Sequence, residues 1–423
     1  MRDETVAIHG GYADETTRAV AVPIYQTIAH EFDNAAHAGA VFDLEIPGFH
    51  YNRLNNPTND VLERRLATLE GGAGALVLSS GAAAVNYSIL NLASANDNIV
   101  TTPQLYGSTY TLFAHVLPRQ GIEVRFADDD RPDRLEPLID ENTKAVFCES
   151  VGNPALNVVD LEAVSDLAHR HGIPFIVDNT IATPLYLKPI EYGADVVVHS
   201  LTKFVGGHGT TLGGAIIDAG RFPWADHPDK FPLFNEPEPA FHGVVYATQF
   251  PEAPYVVRCR TVNLRNSGAT LSPLGAFLLL QGLETLAVRL ERHETNTRAI
   301  AQYLAEDPRV AWLSWLGDRG FPYYDLGRRY LKGHCPSIIT FGVAGGYDAG
   351  IRFFDSVRLF KRLVNMGDAK SLVAHPASTT HRQLSPEALA MVGVAPETIR
   401  LSIGIEHVDD LIDDIDQALS AAI

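Results

Sequence analysis

HSLTKFVGGHGTTLGG runs from His199 to Gly214 and sets Lys203 directly behind an apolar run. The chain has seven lysines, and only Lys203 stands in such a position. An amine drawn out of water near other cations loses proton affinity and becomes a nucleophile able to form a Schiff base with an aldehyde. A lone lysine there is equally well a strand-end side chain reaching for solvent. Asp178, in VDNT, alters that balance. It ends the preceding apolar run, 25 residues earlier, with room for one helix between them. A carboxylate can keep a pyridine nitrogen protonated. A lysine and a carboxylate at neighbouring strand ends are the pair a pyridoxal cofactor requires.

Other polar groups end neighbouring runs. SSGAAA (Ser79–Ala84) reads as a turn opening a helix, where the N–H groups of Gly81 and Ala82 lack intrahelical partners. Ser200 and Thr202 add hydroxyls, which makes a phosphate site without a P-loop pattern. ESVGNP supplies Glu149 and Asn153. Arg400, in TIRLSIGIE, sits on an apolar run late in the chain, and its planar fork suits a carboxylate. No Cys-x-x-Cys pair or other metal spacing is present, and no Gly-x-Ser-x-Gly elbow opens a helix.

These residues need a frame. Apolar runs occur at 75–80, 98–102, 122–128, 144–150, 174–179, 195–200 and 213–218. Helical patterns such as DLEAVSDLAHRHG (Asp160–Gly172) separate several of them. That alternation predicts an α/β fold with a mostly parallel central sheet covered by helices. Ligands on such sheets collect at the carboxyl ends of the strands. Residues 1–62, rich in Asn and Pro around YNRLNNPTND, read as an arm. Residues 63–270 read as the cofactor-binding domain, with an irregular Pro- and aromatic-rich stretch at 220–262. Residues 271–423 read as a smaller α/β domain, opening on a long helix with a break.

The bulk properties narrow the class. The 423 residues are 46% hydrophobic and 20% charged, with a net charge of −18. That acidity disfavours nucleic acid and anionic membranes as partners. The densest acidic run, HVDDLIDDIDQAL (His407–Leu419), interleaves apolar residues at helical spacing and reads as a solvated helix face. Three scattered cysteines and an N-terminus without an apolar leader segment predict a cytoplasmic setting.

VDNT followed by HSLTKFVGGHG resembles the Cys/Met-metabolism family of pyridoxal 5′-phosphate (PLP) enzymes. HGGY, YNRLNNPT, SSG, LYGSTY, ESVGNP, AHPASTTH and RLSIGIE follow the family's order across nearly the whole chain. HSLTKFVGGHGTTLGGAIID, LPRQGIEVRFAD and GDAKSLVAHPASTTH are most similar to its O-acetylhomoserine sulfhydrylase branch.

The resemblance implies the PLP-dependent transferase fold type I and a γ-replacement in methionine biosynthesis. O-acetyl-L-homoserine and sulfide, or another thiol, would give L-homocysteine and acetate. It implies that Lys203 holds the cofactor and moves protons, and that Asp178 pairs with the ring nitrogen. Ser200, Thr202, Gly81 and Ala82 would bind the phosphate. Tyr106 would stack on the ring and assist proton transfer, and Asn153 would bond its 3′-oxygen, with Glu149 nearby. Tyr51 and Arg53 would reach the neighbouring subunit's cofactor in a homotetramer, Tyr51 also touching substrate. Arg400 would take the substrate α-carboxylate, helped by the backbone of Ser371. Methionine γ-lyase, cystathionine γ-synthase and cystathionine γ-lyase share the cofactor residues. Ser108, where the methionine γ-lyases usually carry Cys, and Lys370, where cystathionine-handling relatives usually carry Glu, lean away from them. A catalytically inactive PLP-binding scaffold is the non-enzyme alternative.

Overall fold

A computed structural model describes residues 1–13, 16–379, 382 and 395–423. The seven apolar runs become strands β1 (Gly74–Leu78), β2 (Asn98–Thr101), β3 (Glu123–Phe126), β4 (Thr143–Glu149), β5 (Phe175–Asp178), β6 (Val196–Ser200) and β7 (Gly214–Asp218). They form one sheet in the order β1-β7-β6-β5-β4-β2-β3. All neighbours are parallel except β7, which runs antiparallel to both β1 and β6. Val196, Val197 and Val198 are fully buried, as strands covered on both faces require. Each such side chain contributes about 1.5–3 kcal/mol of transfer free energy.

The connecting helices follow local chemistry. In the helix Leu161–Arg170, the Asp160 side chain caps the Ala163 N–H, and Gly172 leaves the helix at φ +62°. Residues 220–262 hold short helices, such as Pro232–Asn235 and Tyr246–Gln249, and the start of a helical run that continues from Pro254–Arg258 through Arg265–Ser267. The start of the chain packs against the first core. Val6 and Ala7 are buried, and Arg65 donates to the carbonyls of Gly10 and Ala7 at 2.8 and 3.1 Å.

The second sheet contains β8 (Val310–Ser314), β9 (Ile338–Val343), β10 (Lys361–Arg362), β11 (Leu372–Ala374) and β12 (Thr398–Ser402), ordered β10-β11-β12-β9-β8. The expected long helix breaks at Thr285 into Pro273–Glu284 and Leu286–Glu306, bent by 58°. Leu279, Leu283, Leu286 and Leu290 pack into the first core; Ile300, Ala301 and Leu304 pack into the second. The second helix therefore contributes to both cores. Among the described residues, no single helix is long and apolar enough to cross a membrane.

The acidic C-terminal helix, Val408–Ala422, buries Leu411, Ile415, Ala418 and Leu419 on one face. Asp414 departs from the solvated-face expectation. It is buried and accepts the backbone N–H groups of Arg358, Leu359 and Phe360 at 2.8, 2.8 and 3.0 Å.

Candidate active site

Three adjacent parallel strands, β4, β5 and β6, end at Glu149, Asp178 and Ser200. β1 ends at the same edge but is not their neighbour, because β7 lies between it and β6. Running antiparallel, β7 begins there, and its Gly214 opposes both Leu78 and Ser200. A Cβ on Gly214 would lie 2.0 Å from the Ser80 carbonyl oxygen. A Cβ on Gly81 would lie 2.5 Å from Ser200 Cβ. Two glycines therefore let the helix Gly81–Leu90 press its N-terminus against Ser200. Ser80 caps it, accepting the Ala83 N–H at 3.1 Å. Gly81 and Ala82, whose N–H groups come before the first intrahelical bonds, line a cavity of about 200 Å³ at the strand ends.

Ser200, Thr202, Lys203, Asp178, Glu149, Asn153 and Tyr106 also line this cavity. Thr202 is pinned to the start of β7. Its hydroxyl donates to the Gly213 carbonyl at 3.2 Å and accepts the Gly213 N–H at 3.0 Å. Thr180, to which the sequence reading gave no role, bridges two strand ends. Its hydroxyl donates to Asp178 Oδ1 at 2.5 Å and accepts the Ser200 N–H at 2.8 Å.

The two carboxyls are electrostatically linked. Burial raises the pKa of Asp178, while the Thr180 hydrogen bonds and the charge of His199 draw it back. Glu149 lies well above the usual carboxylate range, pushed there by burial and by Asp178. Its Oε1 accepts the Tyr106 N–H at 2.5 Å. Tyr106 is 43% exposed, and its ring centroid lies 6.0 Å from Lys203 Nζ.

Burial and the positive charge of Arg400 bring Lys203 down to about 8. Burial brings Arg400 to about 10. Arg400 stands on β12, between β11 and β9. Its Nη1 donates to Asn153 Oδ1 at 3.3 Å and its Nη2 to the Asn365 carbonyl at 2.9 Å. Among the described residues, its Nε is buried without a partner. A buried cationic donor left in this state is suited to a carboxylate. Asn365, also without a role in the sequence reading, accepts from Lys203 Nζ through Oδ1 at 2.8 Å.

Four expected site residues, Arg400, Tyr51, Arg53 and Ser371, are not among those lining this cavity; Arg400 reaches its wall through Asn153. Tyr51 and Arg53 lie on the surface, with the guanidinium 4.9 Å from the tyrosine ring centroid. Ser371 is buried and engaged elsewhere. Its N–H and hydroxyl donate to the Glu406 carboxylate at 2.6 and 2.9 Å, and its carbonyl accepts from the Lys361 N–H. Of the AHPASTTH segment, Thr380 and His381 lie outside the described residues.

The arrangement can hold an anion at the helix N-terminus, a ring against Asp178, an aldehyde at Lys203 and a carboxylate at Arg400. Known proteins match it over the full chain. A homocysteine synthase from Schizosaccharomyces pombe is 47% identical, the match covering 99% of this chain and 98% of that one. O-acetyl-L-homoserine sulfhydrylase 1 from Thermus thermophilus is 47% identical, covering 99% and 100%. The crystal structure of a putative O-acetylhomoserine (thiol)-lyase from Campylobacter jejuni, with N′-pyridoxyl-lysine-5′-monophosphate, superposes with a TM-score of 0.96. It shares 43% identity and covers 99% of this chain and 100% of that one. The model of the Cys/Met metabolism PLP-dependent enzyme family matches residues 4–420, and the chain belongs to that family.

Proposed function

We propose that this enzyme catalyses a PLP-dependent γ-replacement in methionine biosynthesis. O-acetyl-L-homoserine and sulfide give L-homocysteine and acetate: the Cγ–O bond breaks, acetate leaves, and a Cγ–S bond forms. The observation that carries this reading is the near-complete coverage, in both directions, of relatives with these activities at 44–47% identity.

The cavity's residues fit the cofactor. The helix N-terminus at Gly81 and Ala82, with the hydroxyls of Ser200 and Thr202, would hold its phosphate. Asp178 would hold the ring nitrogen, Asn153 the 3′-oxygen, and Tyr106 one face of the ring. When bound, PLP supplies an electron sink for charge developing at the substrate's Cα. Arg400, with its unpaired Nε, would bind the α-carboxylate and so aim the Cα–H bond at Lys203. Lys203, brought to about 8, holds the cofactor and carries a proton away from Cα and back. Ser371, just before β11, would assist there through its backbone, while the residue paired with Arg400 across β11 and β12 is Ala374.

The reading extends to the assembly. Tyr51 and Arg53, exposed and away from their own cavity, would complete the phosphate site of a neighbouring subunit in a cytoplasmic homotetramer. In this reading residues 1–62 would supply the exchanging arm, 63–270 the cofactor domain and 271–423 the smaller domain.

Rates with O-acetyl-L-homoserine, O-succinyl-L-homoserine and methionine, each with and without sulfide, test the assignment. Sulfide-dependent homocysteine formation, fastest from the acetyl ester, is expected. Faster sulfide-independent breakdown of methionine would make the enzyme a γ-lyase. A colourless protein that PLP cannot reconstitute would make it a scaffold. Ser108, on the cavity wall, and exposed Lys370 are the positions where the alternatives differ.

A further inference from the structure

Asn365 follows the short strand β10 and touches both cationic side chains of the site. Its side-chain oxygen accepts from Lys203 Nζ, and its backbone carbonyl accepts from Arg400 Nη2. We propose that Asn365 is a positioning residue that holds Lys203 Nζ whenever that amine is free, and keeps it in register with the guanidinium that binds the substrate carboxylate. The proposal rests on the reading of Lys203 and Arg400 given above and adds a residue to it.

A lysine that is bonded at one stage and free at another needs a place to rest. Its four-carbon stem is flexible, and an unheld ammonium samples positions from which no proton can reach Cα. Among the described residues, Asn365 Oδ1 is the acceptor at hydrogen-bond distance from Nζ. The other charged or titratable groups around that amine are Arg400, Tyr106, Glu149 and Asp178. Arg400 repels the ammonium, the Tyr106 ring centroid lies 6.0 Å away, and the two carboxyls stand at the ends of β4 and β5.

The chemistry of the holder matters. A carboxylate here would fix the proton on Nζ and suppress its nucleophilicity. An amide oxygen orients the amine without adding a full charge. The contact with Arg400 runs through a backbone carbonyl, which every substitution at position 365 retains. Side-chain replacement therefore separates the hold on Lys203 from the hold on Arg400.

The test uses the full chain stripped of PLP, as wild type, Asn365→Ala and Asn365→Asp. Capture of added PLP is followed by visible absorbance across pH, with no amino-acid substrate present. Asn365→Asp, nearly isosteric, is expected to move the capture midpoint upward by about one pH unit or more, since an opposite charge in contact stabilises the ammonium. Asn365→Ala is expected to move it downward, because an acceptor of the ammonium is lost. In the reconstituted enzyme, Asn365→Ala should lower kcat by about ten- to a hundred-fold, the scale of one charged hydrogen bond, with KM little changed. If Asn365→Ala does not fold, Asn365→Asp carries the test alone. Unmoved midpoints, or a loss confined to KM, overturn the proposal. Normal capture without sulfide-dependent turnover in the wild type would instead sink only the reaction assigned above, so the two failures are distinguishable.

Discussion

Glu149 and Asp178 are register partners on adjacent parallel strands, with both carboxyls at the wall of one cavity. Two carboxylates so placed do not both ionise readily. Burial and Asp178 push Glu149 well above its ordinary range, so the reading of Asp178 as the cofactor's anion makes Glu149 the neutral member of the pair. Its unprotonated oxygen seats Tyr106 by accepting its N–H.

Glu149→Gln should therefore retain activity within a few-fold, since an amide keeps both neutrality and the acceptor. Glu149→Ala should lose about ten-fold in kcat/KM, the order of one lost hydrogen bond to the residue that seats Tyr106. The PLP-free protein has its own signature. A carboxyl whose folded pKa is raised stabilises fully below its unfolded value, and that contribution disappears as pH rises through the folded value. The Tm of Glu149→Gln relative to wild type should therefore climb as pH rises above about 4.5, the ordinary value for Glu. A flat difference across pH would show that Glu149 is not held neutral.

Gly214 offers a packing test. A methyl there would meet the Ser80 carbonyl oxygen at 2.0 Å, and backbone cannot move aside as a side-chain tip can. Gly214→Ala should cost at least about 1–3 kcal/mol in urea unfolding and weaken PLP retention. Gly39→Ala is the control. No atom lies within 4 Å of its added methyl, and it sits in the helix Ala35–Phe42, so it should be neutral or slightly stabilising.

Most of the frame was legible in the sequence. Each of the seven apolar runs became a strand, with ends within about two residues of expectation, because strands buried on both faces leave continuous apolar signals. The lysine, the aspartate and the hydroxyls stood out because they end those runs. The order of strands did not stand out. Nothing in Gly214–Asp218 announces that it reverses and slips between β1 and β6, although the glycines before it mark a close backbone approach. Asn365 left no trace either. It lies 162 residues from Lys203 in a loop without periodicity, and only the folded chain brings them together. Ser371 shows the converse: its motif is legible, but the engagement of its N–H by Glu406 is a tertiary fact.

Sharing of the phosphate site between subunits has a direct test. Arg53→Ala and Lys203→Ala proteins, each weak or inactive alone, should recover activity when unfolded together and refolded as hybrids. One site of a mixed pair then carries both intact residues, so recovery should approach about a quarter of wild type by random assortment, in keeping with an arm exchanged between protomers. Verified hybrids without recovery would place Arg53 outside the site.

Arg400 is the sharpest anchor of the substrate assignment. Its Nε has no partner among the described residues, and an unpaired buried donor is costly unless a ligand satisfies it. A carboxylate accepting from Nε and a neighbouring Nη would gain two charge-assisted hydrogen bonds, each about 1.5–3 kcal/mol. Arg400→Ala should therefore lower kcat/KM by about two to four powers of ten. Part of that loss should appear in kcat, because a fixed carboxylate also aims the Cα–H bond at Lys203. Arg400→Lys should recover little, since a point charge does not reproduce the fork. The substitution also has an electrostatic consequence with a definite sign. Arg400 helps to bring Lys203 down to about 8. Removing that positive charge should raise the lysine, so the residual activity and the capture of PLP should both shift to higher pH. PLP itself should be retained, because Asp178, Ser200, Thr202 and Lys203 remain in place. Loss of PLP with near-normal kinetics after reconstitution would make Arg400 a structural residue and remove the anchor.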